Sequence, residues 1–228
     1  MNKQSINILT ISYIAIRSVL FCLLHFAKLT FDFPFICLDF AFAFLFILQK
    51  KRNFVGFLAL FFTMIADLYL VHFHDHQVLG TSAFCLAQLC YGYYIYLCFP
   101  NKKEGLISLI SRLGLFLVLF LISAIVTKSF HTLVIVTMFY FSNLLVNIVF
   151  TCLHFKKKPL LAIGFIFFLM CDLFVGLYTG SEMGMINLPG FVNFVNNGYL
   201  DFSWVFYMIS QALITLSITT CDKIEKEE

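Results

Sequence analysis

Residues 61–71 read FFTMIADLYLV: one carboxylate, Asp67, set in a run of Phe, Met, Ile, Leu and Val. A second run, FFLMCDLFVG at 167–176, repeats the arrangement around Asp172. The surroundings of these acids decide the fold. Apolar segments of about 20 residues recur along the chain, and that length spans a hydrocarbon core of about 30 Å as a helix. The apolar residues are continuous and do not alternate, which excludes a membrane β-barrel. Of the 228 residues, 61% are hydrophobic and only 12% charged. That leaves too little polar surface for a soluble domain of this size.

The sequence therefore predicts an all-α, polytopic membrane protein, with residues 1–228 forming a single integral membrane domain. Eight spans are read, at roughly 6–26, 33–49, 54–73, 80–99, 106–127, 130–153, 159–179 and 202–221. The first lacks a small-residue cleavage site and contains Arg17, so it reads as a retained helix. Lys3, Lys50, Lys51, Arg52, Lys102, Lys103, Lys156, Lys157, Lys158, Lys223 and Lys226 fall on one side, and Lys28 and Lys128 on the other. The positive-inside rule then puts both termini in the cytoplasm. The Phe-, Lys-, Ile- and Asn-rich makeup favours a bacterial cytoplasmic membrane. The formal charge of +3 reflects this anchoring and gives no reason to expect nucleic-acid binding.

The eight Cys form no CxxC pair and read as small buried hydrophobes. HFHDH at 72–76 alternates three His around Asp75, but it sits in a loop at the membrane edge without matching ligands elsewhere. It reads as a hydrated rim, so neither metal nor cofactor is expected. The Gly- and Asn-rich stretch at 180–201 reads as an outer loop, either a lid or a short interfacial helix.

A carboxylate at bilayer depth costs several kcal/mol unless it is neutralised, paired or hydrated. At about 1.5 Å per residue, Asp67 and Asp172 each lie about 20 Å from the cytoplasmic edge, and Asp39 about 9 Å below the outer one. Gln88 and Gln211 come to nearly the same level, about 12 and 14 Å below the outer edge. Helical spacing groups further partners. Ser203, Tyr207, Gln211 and Thr215 share one face, as do Phe84, Gln88, Tyr91 and Ile95. Tyr140, Asn143 and Asn147 form a stripe on the sixth span, and Gly164, Phe168, Asp172 and Gly176 one on the seventh. The fifth span, without a comparable polar residue at mid-membrane, reads as scaffold. Arg17 sits about 16 Å from the cytoplasmic edge. It is expected either to snorkel or pair with Asp39, or to contact a phosphate head group.

FFTMIADL is followed by a span with a centred Gln, FCLAQLCYGYYI, and FFLMCDL by FYMISQALITL. Both acid spans run from inside to outside. This suggests a four-plus-four parallel repeat, which would bring Asp67 and Asp172 together.

With Asp67–Leu68, then Phe84 and Tyr91, then Asp172, then Tyr207 and Gln211 in this order, the chain resembles the YhhN-like family of lysoplasmalogenase-type membrane proteins. VIVTMFY, ending at Tyr140, also matches the family's sixth helix, and the resemblance runs over roughly 30–220. Ala66 replaces the family's Gly, Cys171 its Ser, and Gln88 its usual His, so proton transfer is lost at position 88. Phe33 stands where a Lys precedes Pro34 in the family.

The resemblance implies hydrolysis of the vinyl ether bond of lysoplasmalogens, lysophospholipids drawn from the bilayer. That reaction begins with a proton delivered to the distal alkene carbon, then water adds to the oxocarbenium ion. It needs one protonated and one ionised carboxyl group, as glycosidases do. Asp67 and Asp172 are the expected catalytic pair. Gln88, Tyr91, Tyr140, Asn143, Tyr207, Gln211, Asp39 and Arg17 are the expected substrate-binding residues. The competing readings are a proton-coupled lipid or small-molecule transporter and a non-catalytic lipid-binding member of the family.

Overall fold

The computed structural model describes residues 3–27, 38–44, 54–73, 76–127, 131–182, 184, 189–191 and 202–219. Among them there is no strand. The helices are α1 (Lys3–Ala27), α2 (38–44), α3 (Phe54–Asp67), α4 (Gln77–Cys98), α5 (Lys102–Thr127), α6 (Thr132–Leu153), α7 (Pro159–Glu182) and α8 (Phe202–Thr219). Four stretches are long and apolar enough to cross a membrane: Gln77–Cys98, Lys102–Ile125, Thr132–Leu153 and Pro159–Ser181. Ile8–Leu20, Phe54–Leu70 and Ser203–Thr219 are shorter apolar helices. This composition fits an all-helical membrane protein.

Local signals set several ends. Asn101 caps α5, its Oδ1 accepting from the Lys103 amide at 3.0 Å while its Nδ2 donates to Glu104 at 2.9 Å. Pro159 opens α7, where its missing N–H costs nothing. α3 does not stop cleanly; a π-helical turn, Leu68–His72, follows Asp67 directly. α7 continues to Glu182, past the expected end of its span. In the outer loop residues 189–191 are helical, and most of the remainder lies outside the described residues. So do His74 and Asp75, Cys37 and Cys221, most of the second span and most of the basic loop residues. The six described cysteines are all free.

α3 packs on α4, α4 on α6, α6 on α7 and α7 on α8, and α8 touches α3 again. Five helices thus enclose a common interior. α5 rests on α6 and α1 on α8, both outside this ring. The interior is filled by Tyr91, Leu144, Leu161, Phe165, Phe168 and Ile214, all fully buried. Between lipid-solvated helices, close van der Waals fit replaces the hydrophobic effect as the driving term, and small residues allow it. Gly164 does this for α7 against α8. A Cβ there would meet Ile214 Cγ1 at 2.8 Å and the Ile214 backbone nitrogen at 3.2 Å. Gly164→Ala is expected to push the two helices apart and cost about 1–3 kcal/mol, read as a lower unfolding temperature in detergent. Gly176, on the same sequence stripe, has nothing within 4 Å, so the close contact is confined to one end of that face.

Candidate functional site

Asp67 ends the regular part of α3 and is 5% exposed. Its carboxylate accepts the Tyr207 hydroxyl of α8. It also borders a small cavity lined by Asp39, Phe40, Leu60, Thr63, Asp67, Tyr207 and Gln211, with about 10 Å³ of water-accessible space. The lining follows from helical spacing. Leu60, Thr63 and Asp67 share one face of α3, and Tyr207 and Gln211 one face of α8. Thr63 donates to the Ala59 carbonyl at 3.0 Å and lies 3.3 Å from the Tyr91 hydroxyl. Gln211 is buried at 3% exposure, and its Nε2 has no hydrogen-bond partner in the protein.

The opposite wall carries Asp39 of α2. Its Oδ1 accepts from the Tyr13 hydroxyl and, at 2.5 Å, from Arg17 Nη1. Arg17 Nη2 donates to the Met208 carbonyl at 2.7 Å. One buried ion pair therefore ties α1, α2 and α8 together, and the pairing weighed from the sequence is what the guanidinium makes. Tyr13 stacks on Phe42 at 4.2 Å and completes the corner.

Asp172 occupies a neighbouring compartment. It is partly buried, accepts the Tyr140 hydroxyl of α6, and does not line the cavity. Between the two acid–tyrosine pairs stand Phe168 and Phe84. Tyr207 meets Phe168 at 5.8 Å, Phe168 meets Phe84 at 5.8 Å, and Phe84 meets Tyr140 at 5.5 Å. Asp67 and Asp172 thus flank one aromatic wall. Each of the three acids takes a phenol from a different helix, as buried carboxylates require donors.

The reading of the fifth span as plain scaffold is corrected. Arg112, about 15 Å into α5, is the only buried residue of that helix. Its Nη1 donates to Asn143 Oδ1 at 2.7 Å and its Nη2 to Asn147 Oδ1 at 2.6 Å. Asn147 Nδ2 passes the network on to Gln88, donating to its Oε1 at 2.8 Å and to its carbonyl at 2.9 Å. Gln88 and Asn143, both fully buried, therefore belong to this amide–guanidinium cluster and not to the cavity lining. Gly92 makes room for it, since a Cβ there would lie 2.4 Å from Arg112 Nη2. Arg112→Leu should leave two buried amide oxygens unpaired at about 1–3 kcal/mol each. The loss would appear as destabilisation in detergent.

Sequence reasoning passed over Arg112, Tyr13 and Thr63. Depth counting applied to every cation would have found Arg112. The i, i+4 relation of Thr63 to Asp67 would have found the threonine. Nothing local singles out Tyr13, whose partner is 26 residues away.

No curated protein and no solved structure gives a match to the chain. The model of the YhhN family matches residues 33–218, which include all three buried aspartates, and the chain belongs to that family.

Proposed function

We propose that the protein is a lysoplasmalogenase-like hydrolase that cleaves the vinyl ether bond of lysoplasmalogens inside the membrane. The observation that carries this reading is Asp67 bordering a polar cavity within an otherwise apolar ring of helices, beside Tyr207 and Gln211. Asp67 delivers the proton to the distal vinyl carbon. Asp172, held by Tyr140 across the Phe84–Phe168 wall, supplies the second carboxyl group and counters the charge of the oxocarbenium ion. A low-dielectric interior makes such a countercharge effective. Tyr207 orients Asp67. The single hydrocarbon chain lies among the Phe-rich spans, with the head group at the outer rim.

The same proposal takes eight crossings with both termini in the cytoplasm. Its support is the basic loop pattern together with two matching hairpins, α3–α4 and α7–α8, each carrying an acid and then a glutamine. Arg17 and Arg112 extend the correspondence: each is the buried cation of the first helix in its half.

The deciding experiment incubates the purified protein with a lysoplasmalogen and, separately, with an ester lysophospholipid, followed by mass spectrometry. The expected products are a fatty aldehyde and the glycerophospho head group from the first, and nothing from the second. An intact lysoplasmalogen alongside proton-coupled flux in liposomes would instead identify a transporter.

A further inference from the structure

The cavity has four features that together specify a small ligand. It is about the size of one water molecule. Its wall bears a carboxylate, Asp39, with one oxygen held by Tyr13 and Arg17. It bears a buried amide donor, Gln211 Nε2, without a protein partner. It also bears Asp67, the proton donor of the proposed reaction. A buried water needs two to four polar partners, and these groups supply donors and acceptors in that number.

We infer that this cavity is the site of the hydrolytic water, with Asp39 as the base that takes its proton and Gln211 as the donor that fixes its oxygen. The inference rests on the hydrolase reading above and adds a third carboxylate to it. Arg17 and Tyr13 are positioning residues. By holding Oδ1 they leave the other oxygen of Asp39 to the cavity, and the guanidinium compensates a negative carboxylate. The oxygen–carbon bond and the protons balance as follows. Asp67 gives its proton to the distal vinyl carbon, and the double bond becomes the oxocarbenium ion. The water oxygen bonds to the carbon bearing the ether oxygen, and one water proton moves to Asp39. The hemiacetal then breaks its bond to the glycerol oxygen. Its hydroxyl proton goes to Asp67, and the proton on Asp39 goes to the departing oxygen. Aldehyde and alcohol leave, and both carboxyl groups are as they began.

A chamber that fits one water rejects a larger nucleophile, and this gives the test. The full-length protein turns over a lysoplasmalogen in aqueous methanol, and products are weighed by mass spectrometry. The wild type should release aldehyde only. Gln211→Ala enlarges the chamber and should also yield the mixed acetal, substrate plus one methanol, which free aldehyde cannot form afterwards. Gln211→Leu keeps the volume, loses the donor, and should slow aldehyde release about tenfold. The variant Arg17→Gln/Asp39→Asn removes base and cation together, so the pair stays neutral and hydrogen-bonded. It should fold, keep KM, and lose kcat about 10²- to 10⁴-fold. Mixed acetal from the wild type in proportion to methanol, or an unchanged product ratio in Gln211→Ala, overturns the water site. A double variant with wild-type kcat overturns Asp39 as the base. If it fails to fold, the Gln211 product ratio decides. If no protein yields aldehyde or acetal, the hydrolase reading falls, and this inference with it.

Discussion

Asp67→Asn is expected to lower aldehyde release about 10²- to 10⁴-fold, the range ascribed to a positioned general acid. Asn has nearly the same shape, and its carbonyl oxygen still accepts the Tyr207 hydroxyl, so the junction of α3 and α8 survives. What is lost is a proton that can be transferred. Asp172→Asn should fall in the same range, because an amide cannot counter a developing cation. The measurement is aldehyde release by purified protein in detergent, with thermal unfolding as the control for folding. Wild-type activity in either variant would remove that residue from the mechanism.

The second large effect is on stability. Arg17→Gln leaves Asp39 buried with a phenol as its remaining partner at Oδ1. Removing one member of a buried ion pair costs about 3–5 kcal/mol, chiefly because the other charge is stranded. Arg17→Gln/Asp39→Asn removes the stranded charge and should recover most of that loss. Unfolding of the single and double variants in the same detergent measures both numbers. Equal stability of the two would mean that the guanidinium does not compensate the carboxylate.

The fold class was legible because continuous apolar runs admit few solutions in lipid. The inward faces were legible for the same reason that helix stripes usually are. Phe84, Gln88, Tyr91 and Ile95 share a face by spacing alone, and all four are buried. Partner choice was not legible. Gln88 and Gln211 match in depth and in sequence context, yet Gln88 is held by Asn147 while Gln211 lines the cavity. The difference arises from Arg112. An arginine can only donate, so Asn147 must turn its oxygen to Arg112 and its amide to Gln88. That chain of polarity runs over three helices, and no single window of sequence contains it. Likewise the pairing of Tyr207 with Asp67 spans 140 positions and depends on α8 returning to α3.

α5 makes a last point about assembly. Lipid solvates an apolar helix about as well as protein does, so its greasy surface gives it little reason to prefer one azimuth or one height over another. Arg112 supplies that reason. Rotating the helix by one residue, about 100°, would swing the guanidinium off its two asparagines into hydrocarbon. The rod is keyed by a single tooth, and drift among its lipid-facing Leu, Ile and Val positions should leave its seating unchanged.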